Sequence, residues 1–162
     1  MRPGFIAHMA VSMAPAFLAG QTLAADAKPL NVLMIVGGEY HDYQTLPIML
    51  GQRLTQRGQM NVSIVPGIAG LSADRLGQAD VLLFNTCEQT AVPEPLRQAI
   101  LGFVSRGKGL VAMHCALWSY QDWPEWVSLV GGFAPGHDRY GPFSVSVLDT
   151  GHATMLGVGN LF

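Results

Sequence analysis

Asn31-Val32-Leu33-Met34-Ile35-Val36, closed by Gly37 and Gly38, is a continuous apolar, β-branched run of strand length. An uninterrupted apolar strand reads as buried on both faces, which is the signature of a parallel sheet covered by helices. From Leu46 to Arg57, Leu46, Met49, Leu50 and Leu54 recur at helical spacing, and Gly58 stops the pattern. Strand and helix together form a βα unit. Asn61 to Val65 reads as a second short strand ended by Pro66 and Gly67, Ser72 to Leu76 as a helical turn, and Asp80 to Phe84 as a third buried strand.

The same rhythm continues. Pro93 to Ser105 has Pro at its entry, Leu96, Ile100, Phe103 and Val104 on one stripe, and Arg106-Gly107 at its exit. Gly109 to Met113 is a fourth strand, Trp123 to Val130 a short amphipathic helix, and Phe143 to Leu148 alternates as a later strand. Strands separated by helical patterns require crossovers, so the expected fold is α/β: a flavodoxin-like, doubly wound, mostly parallel sheet with helices on both faces.

Composition narrows the function classes. The chain has 162 residues, 49% hydrophobic and 12% charged, enough apolar side chain for one compact core. The formal net charge is -2 and no Lys/Arg cluster occurs, so no nucleic-acid partner is expected and a neutral ligand fits better. Gly37-Gly38 is neither a G-x-G-x-x-G turn nor a phosphate loop, so no nucleotide cofactor is expected. At the start, Arg2, the apolar stretch Phe5 to Leu18, and Ala24, Ala25, Asp26 and Ala27 read as a signal peptide over residues 1–27. This predicts a periplasmic or secreted domain over 28–162 with no membrane span after cleavage. The Gly-rich tail from Thr150 has no closing helix, so the domain is expected to be incomplete at its C-terminus.

Four of the five histidines fall at strand ends or in the loops that follow: His41, His114, His137 and His152. In open parallel sheets the ligand sits outside the carboxyl ends of the strands, so separate loops can deliver such side chains to one cleft. His41 has Glu39 and Asp42 beside it, the setting of an oriented general base or metal ligand, although Asp42 also suits a cap for the following helix. His114 ends the fourth strand, where a sharp turn would hold its imidazole rigidly in the cleft as base, hydrogen-bond donor or metal ligand. Cys115 follows it, but neighbours on an extended strand point to opposite faces, so Cys115 is left out of the catalytic set. Cys87 and Cys115 could be neighbours; the reading preferred here is two small core residues.

Gly136-His137-Asp138-Arg139-Tyr140-Gly141-Pro142-Phe143 concentrates hydrogen-bonding side chains on one loop, which fits polar ligand recognition. Tyr140 with Trp118, Tyr120 and Trp123 offers apolar faces to a sugar ring, while Trp123 and Trp126 fit core packing better. Glu88, after the third strand, is a further carboxylate for acid/base work or for sugar hydroxyls. The candidate site is therefore His41, His114 and His137 as catalytic groups, with Asp42, Glu88, Asp138 and Tyr140 binding substrate. A divalent metal on the three histidines is a minority alternative, since no H-x-x-H spacing places two ligands on one element.

The segment from Gly107 to Ala116, then Asp122-Trp123-Pro124-Glu125-Trp126, Gly131-Gly132-Phe133, Gly136-His137-Asp138 and Tyr140-Gly141-Pro142-Phe143, resembles the ThuA-like, or trehalose-utilisation, family. His41-Asp42 and the stretch from Gly151-His152 to Leu156-Gly157 are similar too. The resemblance implies a fold like that of class I glutamine amidotransferases, whose elbow cysteine is replaced here by His114, so glutaminase activity is not expected. It further implies carbohydrate catabolism on glycosides or 3-keto-sugars made by a partner sugar dehydrogenase, with His41, His114 and His137 matching the family's histidines and Asp42, Asp138 and Tyr140 matching beside them. The expectation is a sugar-processing enzyme using histidine acid/base chemistry; a non-catalytic carbohydrate-binding or accessory module is the alternative.

Overall fold

The computed structural model describes residues 28–158; the expected leader lies outside them. The chain runs β1 (Leu30–Gly38), α1 (Leu46–Arg57), β2 (Met60–Pro66), α2 (Ala73–Gln78), β3 (Val81–Cys87), α3 (Glu94–Ser105), β4 (Gly109–Ala112) and α4 (Pro124–Val130). Short 3-10 turns occupy Ile68–Gly70, His114–Leu117 and Ala153–Met155. The four strands pair in parallel in the order β2-β1-β3-β4. This is the flavodoxin-like order, with β1 at the centre of the first three strands.

Because successive strand residues face opposite ways, β1 feeds two cores. Val32, Met34 and Val36 pack with Leu83 on one face, against Tyr43, Leu50 and Leu54 of the α1 side. Leu33 and Ile35 pack with Leu82 and Phe84 on the other, against Leu76, Ile100, Phe103 and the aromatic group Tyr120, Trp123 and Trp126. Each fully buried large apolar side chain in these layers contributes roughly 1.5–3 kcal/mol. The helices therefore cover both faces, as the unbroken apolar strands require. At the amino end of the sheet, Asp80 accepts from the Asn31 amide at 3.0 Å and from Lys108 Nζ at 2.7 Å, tying β1, β3 and β4 together.

One expected element is not formed. Residues 143–148 make no strand beyond an isolated bridge at Ser146, and Phe143 and Leu148 are 83% and 98% exposed. Alternation produces a strand only where a neighbour supplies hydrogen bonds and a core face supplies contact. This segment has only the single bridge, and its end residues Phe143 and Leu148 meet no core. β3, by contrast, runs on through Asn85, Thr86 and Cys87, carrying a thiol to its carboxyl end. Among the described residues no helix is long and apolar enough to cross a membrane.

Gly38 decides how closely the loop after β1 approaches β3. Its φ is +125°, and a Cβ there would lie 2.3 Å from the carbonyl oxygen of Cys87. Gly38→Ala should therefore cost at least ~1–3 kcal/mol of stability from backbone strain alone. A denaturant midpoint equal to the wild type's would refute that close packing.

Candidate functional site

The chain leaves β1 toward β2 on one side and returns to β3 on the other; in sheets of this kind such divergence places the ligand crevice beyond the carboxyl ends of the two strands, here β1 and β3. Three segments supply its side chains. His41 comes from the loop after β1, Cys87 and Glu88 from the end of β3, and His114 and Cys115 from the turn after β4. His41 Nε2 lies 3.0 Å from Cys115 Sγ, a hydrogen bond whose direction depends on the imidazole tautomer. The His41 and His114 rings stand 4.8 Å apart, centroid to centroid. The ligand atoms of His41, Cys87 and Cys115 all fall within 4.8 Å of one another.

The turn after β4 is an elbow. β4 stops at Ala112, and His114 takes a left-handed backbone, φ 50°, at the head of a 3-10 turn. Such a conformation in a non-glycine residue persists only where its surroundings hold it. Ser119 does much of the holding: its hydroxyl donates to the Cys115 carbonyl at 3.2 Å and accepts from the Thr86 hydroxyl at 3.2 Å and the Glu88 amide at 3.0 Å. Trp126 Nε1 adds a bond to the Ala116 carbonyl at 3.3 Å. The elbow is thus sewn to the end of β3.

Glu88 is oriented rather than free. Its carboxylate accepts from the Tyr120 hydroxyl at 2.7 Å and from Thr90 Oγ1 at 3.3 Å. Tyr120 is fully buried with a left-handed φ of 57°, and burial foremost raises its hydroxyl's pKa far above the usual phenol range. Burial likewise pushes the Cys87 thiol up to about 12, with the neighbouring Cys115 adding to the effect. Desolvation, then the Cys87 and Cys115 thiols and Glu88, raise Tyr43 as well, and its hydroxyl is buried without a hydrogen bond of full geometry. Burial thus favours the protonated, neutral form of all three groups.

A family model described as ThuA, trehalose utilisation, matches residues 31–162. The chain belongs to the ThuA family. Among solved structures, this ThuA chain is similar to a ThuA-like protein from Bacteroides uniformis ATCC 8492 determined at 2.30 Å, with a TM-score of 0.63 and 15% identity. The match covers 88% of this chain and 61% of that one, so the chain spans less than two thirds of that relative's length, and the likeness shows the fold. Comparison with curated proteins gives no match.

Within this ThuA domain the expected site residues separate. His41, His114 and Glu88 share the crevice. Asp42 is committed to the turn before α1, its Oδ1 accepting from the Gln44 and Thr45 amides at 3.1 and 2.9 Å, and these bonds, Thr45 foremost, lower its pKa. His137 is exposed, and its Nδ1 meets the neighbouring Asp138 carbonyl at 2.7 Å. Asp138 and Tyr140 are exposed on the same loop, and His152 bonds Thr154 within its own turn. His137 thus joins neither the imidazole pair nor the thiol group among the described residues, and the group with metal-ligand spacing is His41, Cys87 and Cys115 rather than three histidines. Tyr120 and Trp123 are fully buried, so they offer no sugar platform; the half-buried Trp118 meets the exposed Tyr40 edge to face at 5.9 Å instead.

The thiols were legible only in part. Cys87 follows an apolar run and Cys115 adjoins a candidate histidine, but no short spacing links residues 41, 87 and 115. Two outcomes test the arrangement. Native protein treated with iodoacetamide at neutral pH should be modified at Cys115, which is half-exposed, and spared at Cys87, which is buried and held protonated; peptide mass spectrometry reads the ratio, and equal labelling would contradict it. Because the folded pKa values of Cys87, Tyr43 and Tyr120 all lie above their unfolded ones, the folded chain keeps protons that the unfolded chain gives up. Stability should be flat below about pH 9 on this account and fall as pH rises beyond it, measured as the urea midpoint against pH.

Proposed function

We propose that this ThuA domain processes a keto-sugar or glycoside in the crevice beyond β1, β3 and β4, with His114 as the proton carrier. Membership of a family described by trehalose utilisation supports carbohydrate as the substrate class. The observation that carries the reading is the pair of imidazoles, His41 and His114, brought 4.8 Å apart from strand ends 73 positions apart in sequence, with His114 held at a left-handed elbow. A proton alpha to a sugar ketone is acidic enough for an imidazole to remove. His114, exposed and rigidly placed, takes that proton and returns it to the leaving glycosidic oxygen, while His41 polarises the ketone oxygen. No covalent nucleophile is needed for such an elimination, and water adds to the resulting unsaturated sugar to complete hydrolysis.

Glu88 supplies orientation. Fixed by Tyr120 and Thr90, its carboxylate is placed to accept sugar hydroxyls, and Tyr40 with Trp118 lends an apolar wall. The leader pattern over residues 1–27 supports a periplasmic or secreted place of action, where a partner dehydrogenase would furnish the oxidised sugar.

The test is incubation of the purified chain with a disaccharide and its 3-keto form, with and without chelator, followed by product chromatography. Turnover of the keto form is expected, and His114→Ala should lower kcat about 10²–10⁴-fold, the range of general acid/base catalysis, with KM little changed. His137→Ala should stay within about threefold of wild type, a smaller effect than the loss of acid/base catalysis. Binding of either sugar without any turnover would replace the enzyme by a carbohydrate-binding module.

A further inference from the structure

We propose that His41, Cys87 and Cys115 form a binding site for a thiophilic divalent metal ion of the zinc class, with one coordination position open to the crevice. The donors come from three separate segments, yet their ligand atoms lie within 4.8 Å of one another, and the His41–Cys115 pair is already at 3.0 Å. Tetrahedral zinc, with bonds of about 2.3 Å to sulfur and 2.0–2.1 Å to nitrogen, needs such donors roughly 3.4–3.8 Å apart. Shifts of about an ångström or less gather them around an ion of that size.

The donor set selects the metal. Two thiolates and an imidazole favour zinc-like or copper ions and disfavour magnesium and calcium, which take oxygen ligands. Three protein ligands with a fourth position left for water or substrate is the composition of a catalytic rather than a structural zinc site. Burial is graded to match: Cys87 is buried, Cys115 half-exposed and His41 exposed, so the open side faces the crevice where His114 stands.

A second observation points the same way. The Tyr43 hydroxyl is buried beside the Cys87 thiol, close enough to feel it, yet forms no hydrogen bond of full geometry. A metal ion deprotonates the thiols that bind it. The Cys87 sulfur then becomes an acceptor for the Tyr43 O–H, which supplies the outer hydrogen bond that metal ligands regularly carry. Ser119, bonded to the Cys115 carbonyl, fixes the third ligand's backbone in turn.

The site stands on this geometry alone; that its ion would take over from His41 the polarising of a sugar oxygen rests on the function proposed above. The experiment keeps the two apart. Reduced, chelator-treated full chain is titrated with Co²⁺ and followed by absorption. One equivalent should produce a thiolate-to-cobalt charge-transfer band and the intense visible bands of four-coordinate cobalt, and Zn²⁺ should displace them. Cys115→Ser and Cys87→Ser should each diminish the charge-transfer band, and His41→Ala should weaken binding more than about 100-fold, a larger loss than an outer-contact change causes. Tyr43→Phe should weaken it about 10-fold or more while leaving the bands in place, and His152→Ala should change nothing. Circular dichroism identifies any variant that fails to fold; should buried Cys87→Ser do so, Cys115→Ser and His41→Ala carry the test. Absence of the charge-transfer band in the reduced wild type, bands that survive both folded cysteine variants, or a Cys87–Cys115 disulfide in protein that takes up no cobalt after reduction would each overturn the proposal. Cobalt uptake without sugar turnover would defeat only the enzymatic reading.

Discussion

The double burial of β1 is the constraint on which the structure depends. Its side chains are shared between two cores, and from Val32 to Val36 its backbone is paired on both edges, with β2 and β3, so this central stretch leaves its polar groups no need of water. Reversing the direction of strand addition on either side of β1 creates the crevice at its carboxyl end. Gly38 then lets the chain turn away against the Cys87 backbone, and that contact sets how near His41 comes to the thiols. The site is a consequence of sheet topology first and of loop sequence second.

The elbow after β4 shows where stability is spent. Two non-glycine residues, His114 and Tyr120, hold left-handed conformations within seven positions, at a cost of order 1–3 kcal/mol each. The offset lies beneath them: Ala116, Tyr120, Trp123 and Trp126 are buried, Trp126 packs on Phe84 with centroids 4.6 Å apart, and Ser119 closes three hydrogen bonds. Strain held by a packed aromatic layer is rigid strain, which suits a side chain that must meet a reacting atom in one geometry.

Much of this could be read from the chain, and the failures have physical causes. Unbroken apolar runs such as Val32 to Val36 announced buried parallel strands, and Pro and Gly marked the helix ends, because those patterns report backbone geometry directly. The reach of β3 was hidden by Asn85 and Thr86, polar residues whose place in the sheet depends on partners distant in sequence, Thr86 on Ser119 for one. Treating His114 and Cys115 as neighbours on an extended strand sent them to opposite faces; in fact β4 has ended and the chain has turned, so His41 contacts both. Trp123 and Trp126 pack in the core as their helical setting suggested, but Tyr120 looked like a sugar platform for want of any sequence signal that tells a buried aromatic from an exposed one. Residues 143–148 had the period of a strand without the neighbour that makes one.

Adjacent residues in this crevice end up with different work, and the reason is geometric. Asp42 turns its carboxylate back onto the Gln44 and Thr45 amides, which closes the turn and leaves His41, one residue earlier, pointing across to β4's elbow. Glu88 is pinned by a tyrosine kept protonated by burial, so it accepts a hydrogen bond in a fixed direction rather than swinging to trade protons. His114 has no such tether among the described hydrogen bonds and sits exposed beside His41. A carboxylate held still is suited to fixing a hydroxyl, and an imidazole open to the crevice is suited to moving a proton. The division of labour proposed above, orientation by Glu88 and proton transfer by His114, rests on which side chains the fold has already satisfied and which it leaves free.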